Sequence, residues 1–173
     1  FTSNKEVQTN TLKNLEMASK YTCSGYVVML PGRRMSQIPP TDYLHAVMDH
    51  SDKDVYYYHA PANNGIELAI PDFMRILEHP GCRGIKNSAN DITLRKKLLN
   101  LKRERDFELF EGNEWSVDEA LFDGCDGAVC GGGALVPAVL AKLAEAADSG
   151  DFKTAKHIQQ QLTEIFAAVY NTH

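Results

Sequence analysis

The sequence lacks the features that mark several large classes of protein. Its 173 residues contain no apolar run near the roughly 18 residues that a bilayer-spanning helix needs. No segment is rich in lysine and arginine, and the net charge is −5, so neither a membrane nor a nucleic acid is an expected partner. No signal peptide follows Phe1, which leads us to expect a cytoplasmic protein. Because no methionine starts the sequence, we also expect the true N-terminus to lie upstream.

Cysteine and histidine are too few and too scattered to predict a metal site. The four cysteines, at positions 23, 82, 125 and 130, include no C-x-x-C pair, and the six histidines include no H-x-x-x-H pair. We therefore expect reduced cysteines that act as small apolar side chains. The sequence predicts neither a bound metal nor another cofactor.

The sequence does contain a regular alternation of strand-like and helix-like segments. Strands are predicted at 25–31, 54–58, 82–86, 107–110 and 127–130, and helices at 9–21, 41–49, 71–77, 91–101, 117–122, 137–147 and 153–170. The first three strands end near residues 30, 58 and 86, and a strand, a loop, a helix and a return loop fit each interval. This βα repeat predicts an α/β fold with a parallel sheet and helices outside it.

Five predicted strands fit two architectures. One is a (β/α)8 TIM barrel, which needs roughly 250 residues, so that this chain supplies about five βα units plus C-terminal helices. On this interpretation residues 1–173 form a single partial barrel domain, with a helical C-terminal extension from about residue 151. The other is an open, doubly wound sheet of five strands. A partial barrel leaves two sheet edges unpaired, so we expect its missing strands to come from residues outside this sequence.

Two residues with chemically useful side chains end neighbouring predicted strands. Lys86 ends the run Arg83–Lys86, and burial of its amine would favour the uncharged nucleophile that imine formation requires. Tyr58 ends the preceding strand, and since adjacent strands lie about 4.8 Å apart, its hydroxyl can exchange protons with the amine or a bound carbonyl. The alternatives are a surface lysine at a strand edge and a core tyrosine whose hydroxyl is bonded to backbone.

Glycines follow the last two predicted strands. Gly131, Gly132 and Gly133 come after the strand at 127–130, and small residues there let the backbone approach a ligand closely. Gly112 and Asn113 end the preceding strand and can supply polar groups to the same end of the sheet. A phosphate-binding loop is a poor fit, because no lysine with serine or threonine follows the glycines. A flexible turn is the alternative for the three glycines.

Three segments resemble motifs of the dihydrodipicolinate synthase and N-acetylneuraminate lyase family. Tyr58–Gly65 resembles its tyrosine motif, Gly84–Asp91 its lysine motif, and Gly124–Val129 its last strand, in the family's order and over nearly the whole chain. The resemblance implies a TIM barrel, a homo-oligomer (dimer or tetramer) and a class I aldolase mechanism. Lys86 would form a Schiff base with pyruvate or another 2-keto acid, and Tyr58 would relay protons. Val129 matches a position whose backbone faces the substrate.

Departures from the family's pattern bear on the substrate. The loop that binds the pyruvate carboxylate would lie before Phe1, and Gly32-Arg33 replaces a tyrosine pair of the synthases. Asn63 stands where the synthases carry an arginine that places the second substrate's carboxylate; we keep Asn63 as a substrate-binding candidate. Arg33 or Arg34 can bind an acidic substrate, and the alternative for either is a solvated surface charge.

Three functions fit these observations. The departures favour a Schiff-base lyase or aldolase for a sugar-acid or sialic-acid-like 2-keto acid. The first alternative is dihydrodipicolinate synthase or a keto-deoxy sugar acid dehydratase on the same scaffold. The second alternative is a truncated, non-catalytic barrel that binds a metabolite.

Overall fold

The computed structural model describes residues 4–33 and 38–170, with side chains from Gln8 onward. These residues divide into two compact units. The first unit contains the residues up to Ala89 together with Arg105–Phe107. The second contains Asn90–Glu104 and the residues from Glu108 onward.

The first unit is a parallel three-stranded sheet with helices. Its elements are α1 (Asn4–Ala18), β1 (Gly25–Met29), α2 (Pro40–Asp49), β2 (Asp54–His59), α3 (Pro61–Asn64), α4 (Ile70–Leu77) and β3 (Cys82–Asn87). β1 pairs with β2 and β2 pairs with β3, both in parallel. In this register Met29, Tyr58 and Lys86 stand side by side near the carboxyl ends of the three strands.

The two faces of β2 differ in burial. Val55, Tyr57 and His59 are buried, and the rings of Tyr57 and His59 contact the ring of Phe73 in α4. The alternate residue Tyr58 is half-buried, since successive strand side chains point to opposite faces. The helices thus cover one face of the sheet, and Tyr58 lies on the other.

The second unit contains two short paired strands and several helices. Its elements are α5 (Ile92–Glu104), β4 (Glu108–Glu111), a 3-10 turn (Glu114–Ser116), α6 (Val117–Asp123), β5 (Gly127–Ala128), α7 (Gly132–Leu135), α8 (Pro137–Asp148) and α9 (Phe152–Tyr170). β4 and β5 are parallel. Val117, Leu143, Leu162 and Phe166 form the buried core between α6, α8 and α9.

Proline and glycine set several helix boundaries. Pro40 and Pro137 occupy the first position of α2 and α8, where the missing N–H costs no intrahelical hydrogen bond. Gly124 ends α6 with a φ of 110°, in the left-handed region that favours glycine. The boundaries predicted from these residues agree with the structure to within a few residues.

The sequence order of strands and helices is confirmed, and with it the parallel α/β fold class. α3 and the 3-10 turn were not predicted, and β5 has two residues rather than four. The segment Gly132–Leu135 is helical, which was not predicted. The flexible-turn alternative for the three glycines stays a prediction. The single-domain boundaries over residues 1–173 stay a prediction.

All four cysteines are free thiols. Burial raises the pKa of the Cys125 thiol to about 12 and that of Cys82 to about 11. Both therefore stay uncharged at neutral pH and pack as small apolar groups, as predicted. None of the helices in the described ranges combines the length and hydrophobicity that crossing a bilayer requires. The same ranges contain no group of three histidine, cysteine or acidic side chains arranged to hold a metal ion.

Candidate active site

Lys86 and Tyr58 form a contacting pair in the first unit. They are register partners on β3 and β2, and the Lys86 Nζ atom lies over the Tyr58 ring, 3.9 Å from its centroid. Both side chains are half-buried, which is less enclosure of the amine than the sequence predicted. The amine faces the ring of the tyrosine, where the negative face of the π-system attracts a cation. The Tyr58 ring is therefore an aromatic partner of the Lys86 amine.

The strand ends beneath this pair are fixed by buried polar groups. His59 and Asn87 are register partners, one residue beyond Tyr58 and Lys86, and both are buried. The His59 carbonyl accepts the Ser88 N–H at 2.8 Å, and the His59 Nδ1 atom lies 3.1 Å from the Tyr57 hydroxyl. Burial lowers the pKa of His59 to about 4, so the imidazole is neutral at physiological pH. This neutral network holds the two strand ends in register.

Two residues near the pair were missed from the sequence. Met29 is the register partner of Tyr58 on β1 and is 40% exposed, so it places an apolar thioether beside the tyrosine. The Ser88 hydroxyl oxygen, two residues beyond Lys86, is buried without a hydrogen-bond partner among the described residues. The sequence could have identified Met29, because it precedes Tyr58 by one βα repeat, just as Tyr58 precedes Lys86 by one repeat. No sequence signal marks Ser88 apart from its closeness to the lysine.

The short helix α3, which follows β2, places the candidate Asn63 at the surface. Asn63 is exposed, whereas its neighbour Asn64 is buried and donates a hydrogen bond to the Leu30 carbonyl at 3.4 Å. The Asn64 carbonyl accepts the N–H of the exposed Arg33 at 3.0 Å. Asn64 thus ties α3 to the end of β1 and leaves Asn63 accessible. The other arginine candidate, Arg34, lies outside the described residues.

In the second unit a buried carboxylate shapes the loop after β4. The Glu111 carboxylate accepts the N–H groups of Gly112 and Asn113, both at 2.9 Å, and a hydrogen bond from Arg95 at 3.2 Å. Glu111 and Arg95 are both buried. Burial alone would lower the pKa of Arg95, but the hydrogen bond that Arg95 donates to Glu111 and the charges of Glu111 and Asp123 raise it. Arg95 therefore stays protonated beside Glu111, whose carboxylate holds Gly112 and Asn113 in place.

The candidates Asn113, Val129 and Gly131 are engaged with their own unit. The Asn113 side-chain oxygen accepts the Trp115 N–H at 3.1 Å, so this carboxamide serves the turn that follows it. The Val129 N–H donates to the Glu111 carbonyl at 2.8 Å, and the Val129 side chain is 45% exposed. A Cβ on Gly131 would lie 3.1 Å from the Tyr170 hydroxyl. A side chain at position 131 would therefore press on the Tyr170 hydroxyl.

The structure brings the predicted residues together in two groups. Tyr58 and Lys86 contact each other in the first unit. Gly112, Asn113, Val129 and Gly131 lie on the loops that follow β4 and β5 in the second unit.

Comparison with known sequences gives a family match and several relatives. Residues 9–173 match the dihydrodipicolinate synthetase family. The 4-hydroxy-tetrahydrodipicolinate synthase of Pseudoalteromonas atlantica is 27% identical over 128 residues, which are 74% of this chain and 43% of that relative. An uncharacterized DapA-like lyase of Halobacterium salinarum is 26% identical over 160 residues, 92% of this chain and 52% of that relative. The chain thus spans about half the length of the curated relatives it matches.

Comparison with solved structures shows the fold. The dihydrodipicolinate synthase of Bacteroides thetaiotaomicron superposes with a TM-score of 0.87 at 20% identity, over 100% of this chain and 57% of that one. The N-acetylneuraminate lyase of Fusobacterium nucleatum superposes with a TM-score of 0.85 at 16% identity, over 95% of this chain and 56% of that one. These matches confirm that the chain has the fold of part of a (β/α)8 barrel.

Proposed function

Because this chain belongs to the dihydrodipicolinate synthetase family, we propose that it carries the Schiff-base lysine of a carbon–carbon lyase or aldolase acting on a 2-keto acid. The observation that supports this most directly is the contact between Lys86 and Tyr58, with Nζ 3.9 Å from the ring centroid. Relatives are named both as synthases and as lyases, which fits one chemistry with several substrates.

Lys86 is the proposed nucleophile. Its amine adds to the keto carbon of pyruvate or another 2-keto acid, and loss of water from the carbinolamine gives a protonated imine. In the cleavage direction the bond between C3 and C4 breaks, its electron pair enters the enamine, and an aldehyde leaves. Protonation of the enamine at C3 and hydrolysis of the imine then release pyruvate and the free amine. In the condensation direction the same steps run in reverse.

Tyr58 contributes two separate groups in this proposal. Its ring lies under the position of the Lys86 nitrogen, where the protonated imine carries a positive charge, and a ring face stabilises such a charge. Its hydroxyl moves the protons that carbinolamine dehydration and bond cleavage require. Burial of neutral His59 and Asn87 behind the two strand ends keeps the two groups in register.

Pyruvate is the proposed common substrate or product. A dihydrodipicolinate synthase of Acinetobacter baumannii, with a TM-score of 0.84 to this chain, was solved in complex with pyruvate. We propose a sugar-acid or sialic-acid-like partner, because Asn63 is exposed beside β2 and offers a neutral amide there. A neutral amide is a better hydrogen-bond partner for the hydroxyl groups of a substrate than for a substrate carboxylate. An N-acetylneuraminate lyase and a Clostridium difficile protein in complex with mannosamine are among the structural neighbours.

The second candidate is 4-hydroxy-tetrahydrodipicolinate synthase activity. It is favoured by the names of several curated relatives, which are 22–27% identical to this chain. Incubation with a sialic acid and, separately, with pyruvate plus aspartate semialdehyde separates the two. Release of pyruvate from the sialic acid supports the lyase, and consumption of the semialdehyde supports the synthase.

Reductive trapping in the full polypeptide tests the shared chemistry. Borohydride with pyruvate should add one reduced pyruvate to Lys86, located by peptide mass spectrometry. Lys86→Ala should abolish the adduct, and Lys96→Ala, which removes an exposed lysine of α5, should leave it unchanged. Absence of an adduct at Lys86 in the wild-type protein would reject the proposal and leave a metabolite-binding, non-catalytic barrel.

Assembly and location are also proposals. We propose a homo-oligomer, a dimer or a tetramer, that acts in the cytoplasm without a metal. One structural neighbour is described as a monomeric dihydrodipicolinate synthase variant, so the fold itself does not require an oligomer. Light scattering coupled to gel filtration of the full polypeptide decides between one, two and four copies.

A further inference from the structure

A buried glutamine of α9 holds the start of α6. Gln159 is 5% exposed, and its side-chain oxygen accepts the N–H groups of Val117 and Asp118 at 3.1 and 3.2 Å. The first N–H groups of a helix have no partner within the helix. The residue before α6, Ser116, makes no side-chain capping bond, so the cap comes from α9 instead. The Gln159 nitrogen donates to the Glu114 carbonyl at 2.9 Å, which uses the other end of the same amide.

The end of α9 attaches to the same segment a second time. The Tyr170 hydroxyl donates to the Glu114 carboxylate at 2.5 Å. The Trp115 ring packs edge-on against the Phe166 ring, with centroids 6.0 Å apart, and its centroid lies 6.1 Å from that of Tyr170. Residues 114–118 are therefore attached to α9 at two positions, at Gln159 and at Tyr170, the last residue of the helix.

The loop after β5 contacts the same two aromatic residues. A Cβ on Gly132 would lie 2.3 Å from the Phe166 ring, and a Cβ on Gly131 would lie 3.1 Å from the Tyr170 hydroxyl. Only glycine at position 132 lets the start of α7 lie this close to the ring without a shift. One stretch of α9 therefore supports the loops that follow both β4 and β5.

These loops carry the residues that the sequence assigns to the substrate. Gly112 and Asn113 are fixed at their start by the Glu111 carboxylate, and the segment is fixed at its end by Gln159. Val129 and Gly131 lie on the other supported loop. None of the α9 residues is itself a candidate for contact with a 2-keto acid.

We propose that α9 is a positioning element for both substrate loops, with Gln159 and Tyr170 as the positioning residues. They set the affinity for the 2-keto acid and do not touch the reacting atoms. The assignment of the ligand as a 2-keto acid rests on the proposed function, whereas the attachment of the loops to α9 does not. Loss of either attachment loosens residues 114–118 and weakens pyruvate binding more than it slows the chemical step.

A single tryptophan makes the attachment measurable. Trp115 is the one tryptophan of the sequence and lies within the attached segment. In the full polypeptide, Gln159→Ala should shift its emission to the red and raise its quenching by acrylamide about twofold. Gln160→Ala, the same truncation at the exposed neighbouring position of α9, is the matched control and should behave as wild type. Tyr170→Phe removes an exposed hydroxyl and keeps the ring, so it tests the second attachment even if the buried change impairs folding.

Pyruvate binding gives the second readout. Calorimetry should show affinity reduced about fivefold or more in Gln159→Ala and Tyr170→Phe, with KM raised to match and kcat within about twofold of wild type. Unchanged Trp115 quenching in both variants would overturn the proposal, as would altered quenching with unchanged pyruvate affinity. Pyruvate that binds the wild type without a trapped adduct at Lys86 rejects the Schiff base alone. A wild type that binds no pyruvate rejects the proposed function and the positioning role together.

Discussion

The Lys86 Nζ atom lies over the ring face of Tyr58, 3.9 Å from its centroid, and does not lie at the hydroxyl. The ring and the hydroxyl of this tyrosine therefore have separable roles. The ring is a partner for positive charge on the lysine nitrogen, and the hydroxyl is a proton carrier for the substrate. Conservative substitutions at position 58 can remove one group at a time.

Tyr58→Phe should slow turnover by roughly 10²-fold while pyruvate is still trapped on Lys86. The substitution removes the proton carrier, whose contribution is of that order, and keeps the ring face under the imine. Steady-state kinetics and reductive trapping in the full polypeptide measure the two effects. Tyr58→Leu removes the ring as well and should also slow trapping. A wild-type turnover rate in Tyr58→Phe would exclude a role for the hydroxyl. Equal trapping rates in Tyr58→Phe and Tyr58→Leu would exclude a role for the ring.

Arg95→Met should destabilise the protein by about 3–5 kcal/mol. It leaves the Glu111 carboxylate buried without its cationic partner, and an unpaired buried charge carries a cost of this size. The free energy of unfolding in urea measures the effect. Lys102→Met is the control, because the pair of Lys102 with Asp126 is partly exposed and such pairs contribute about 0–1 kcal/mol. An equal loss of unfolding free energy in the two variants would show that the Arg95–Glu111 pair behaves as a surface ion pair.

The stability of the protein should fall between pH 6.5 and pH 4 because of His59. Burial lowers the pKa of this imidazole from the ordinary 6.5 to about 4 in the folded state. Between the two values the unfolded chain binds a proton that the folded chain excludes, so the contribution is complete above pH 6.5 and is lost as pH falls. Unfolding in urea should show a loss of roughly 2 kcal/mol from about pH 7 to about pH 5.

Two glutamine variants isolate the His59 contribution. His59→Gln should flatten the pH dependence over this window, since an amide takes up no proton there. His157→Gln removes an exposed imidazole of α9 and should keep the wild-type dependence. A His59→Gln protein with the full wild-type slope would assign the acid sensitivity to other groups.

Gly132→Ala and Gly133→Ala should have opposite effects on stability. The added methyl at position 132 would lie 2.3 Å from the Phe166 ring, so overpacking should cost about 1–3 kcal/mol. A methyl at position 133 meets nothing within 4 Å, and alanine should stabilise α7 by a few tenths of a kcal/mol to about 1 kcal/mol. Thermal unfolding of both variants tests this. Equal shifts in Tm would mean that the Phe166 ring moves aside freely.

Local patterns in the sequence were enough to predict the α/β repeat. Apolar runs of strand length alternate with helical periodicity, and Pro40, Pro137 and Gly124 mark helix ends through their own backbone preferences. The adjacency of Tyr58 and Lys86 was also predictable. In a parallel sheet, equal spacing along the chain places strand ends at one level, and the observed register pairs these two residues.

Other features depended on contacts that no local pattern reports. The direction of the Lys86 amine toward the ring, the helical turn α7 and the cap of α6 by Gln159 were not predicted. Gln159 is 42 residues from Val117, and a glutamine in an amphipathic helix has the same sequence signature whether it is exposed or buried. The sequence by itself determined which segments become strands and helices and the level at which Tyr58 and Lys86 meet, because backbone preference and periodicity are local. Only the tertiary structure decided which polar groups are buried and paired, because burial depends on residues distant in the chain.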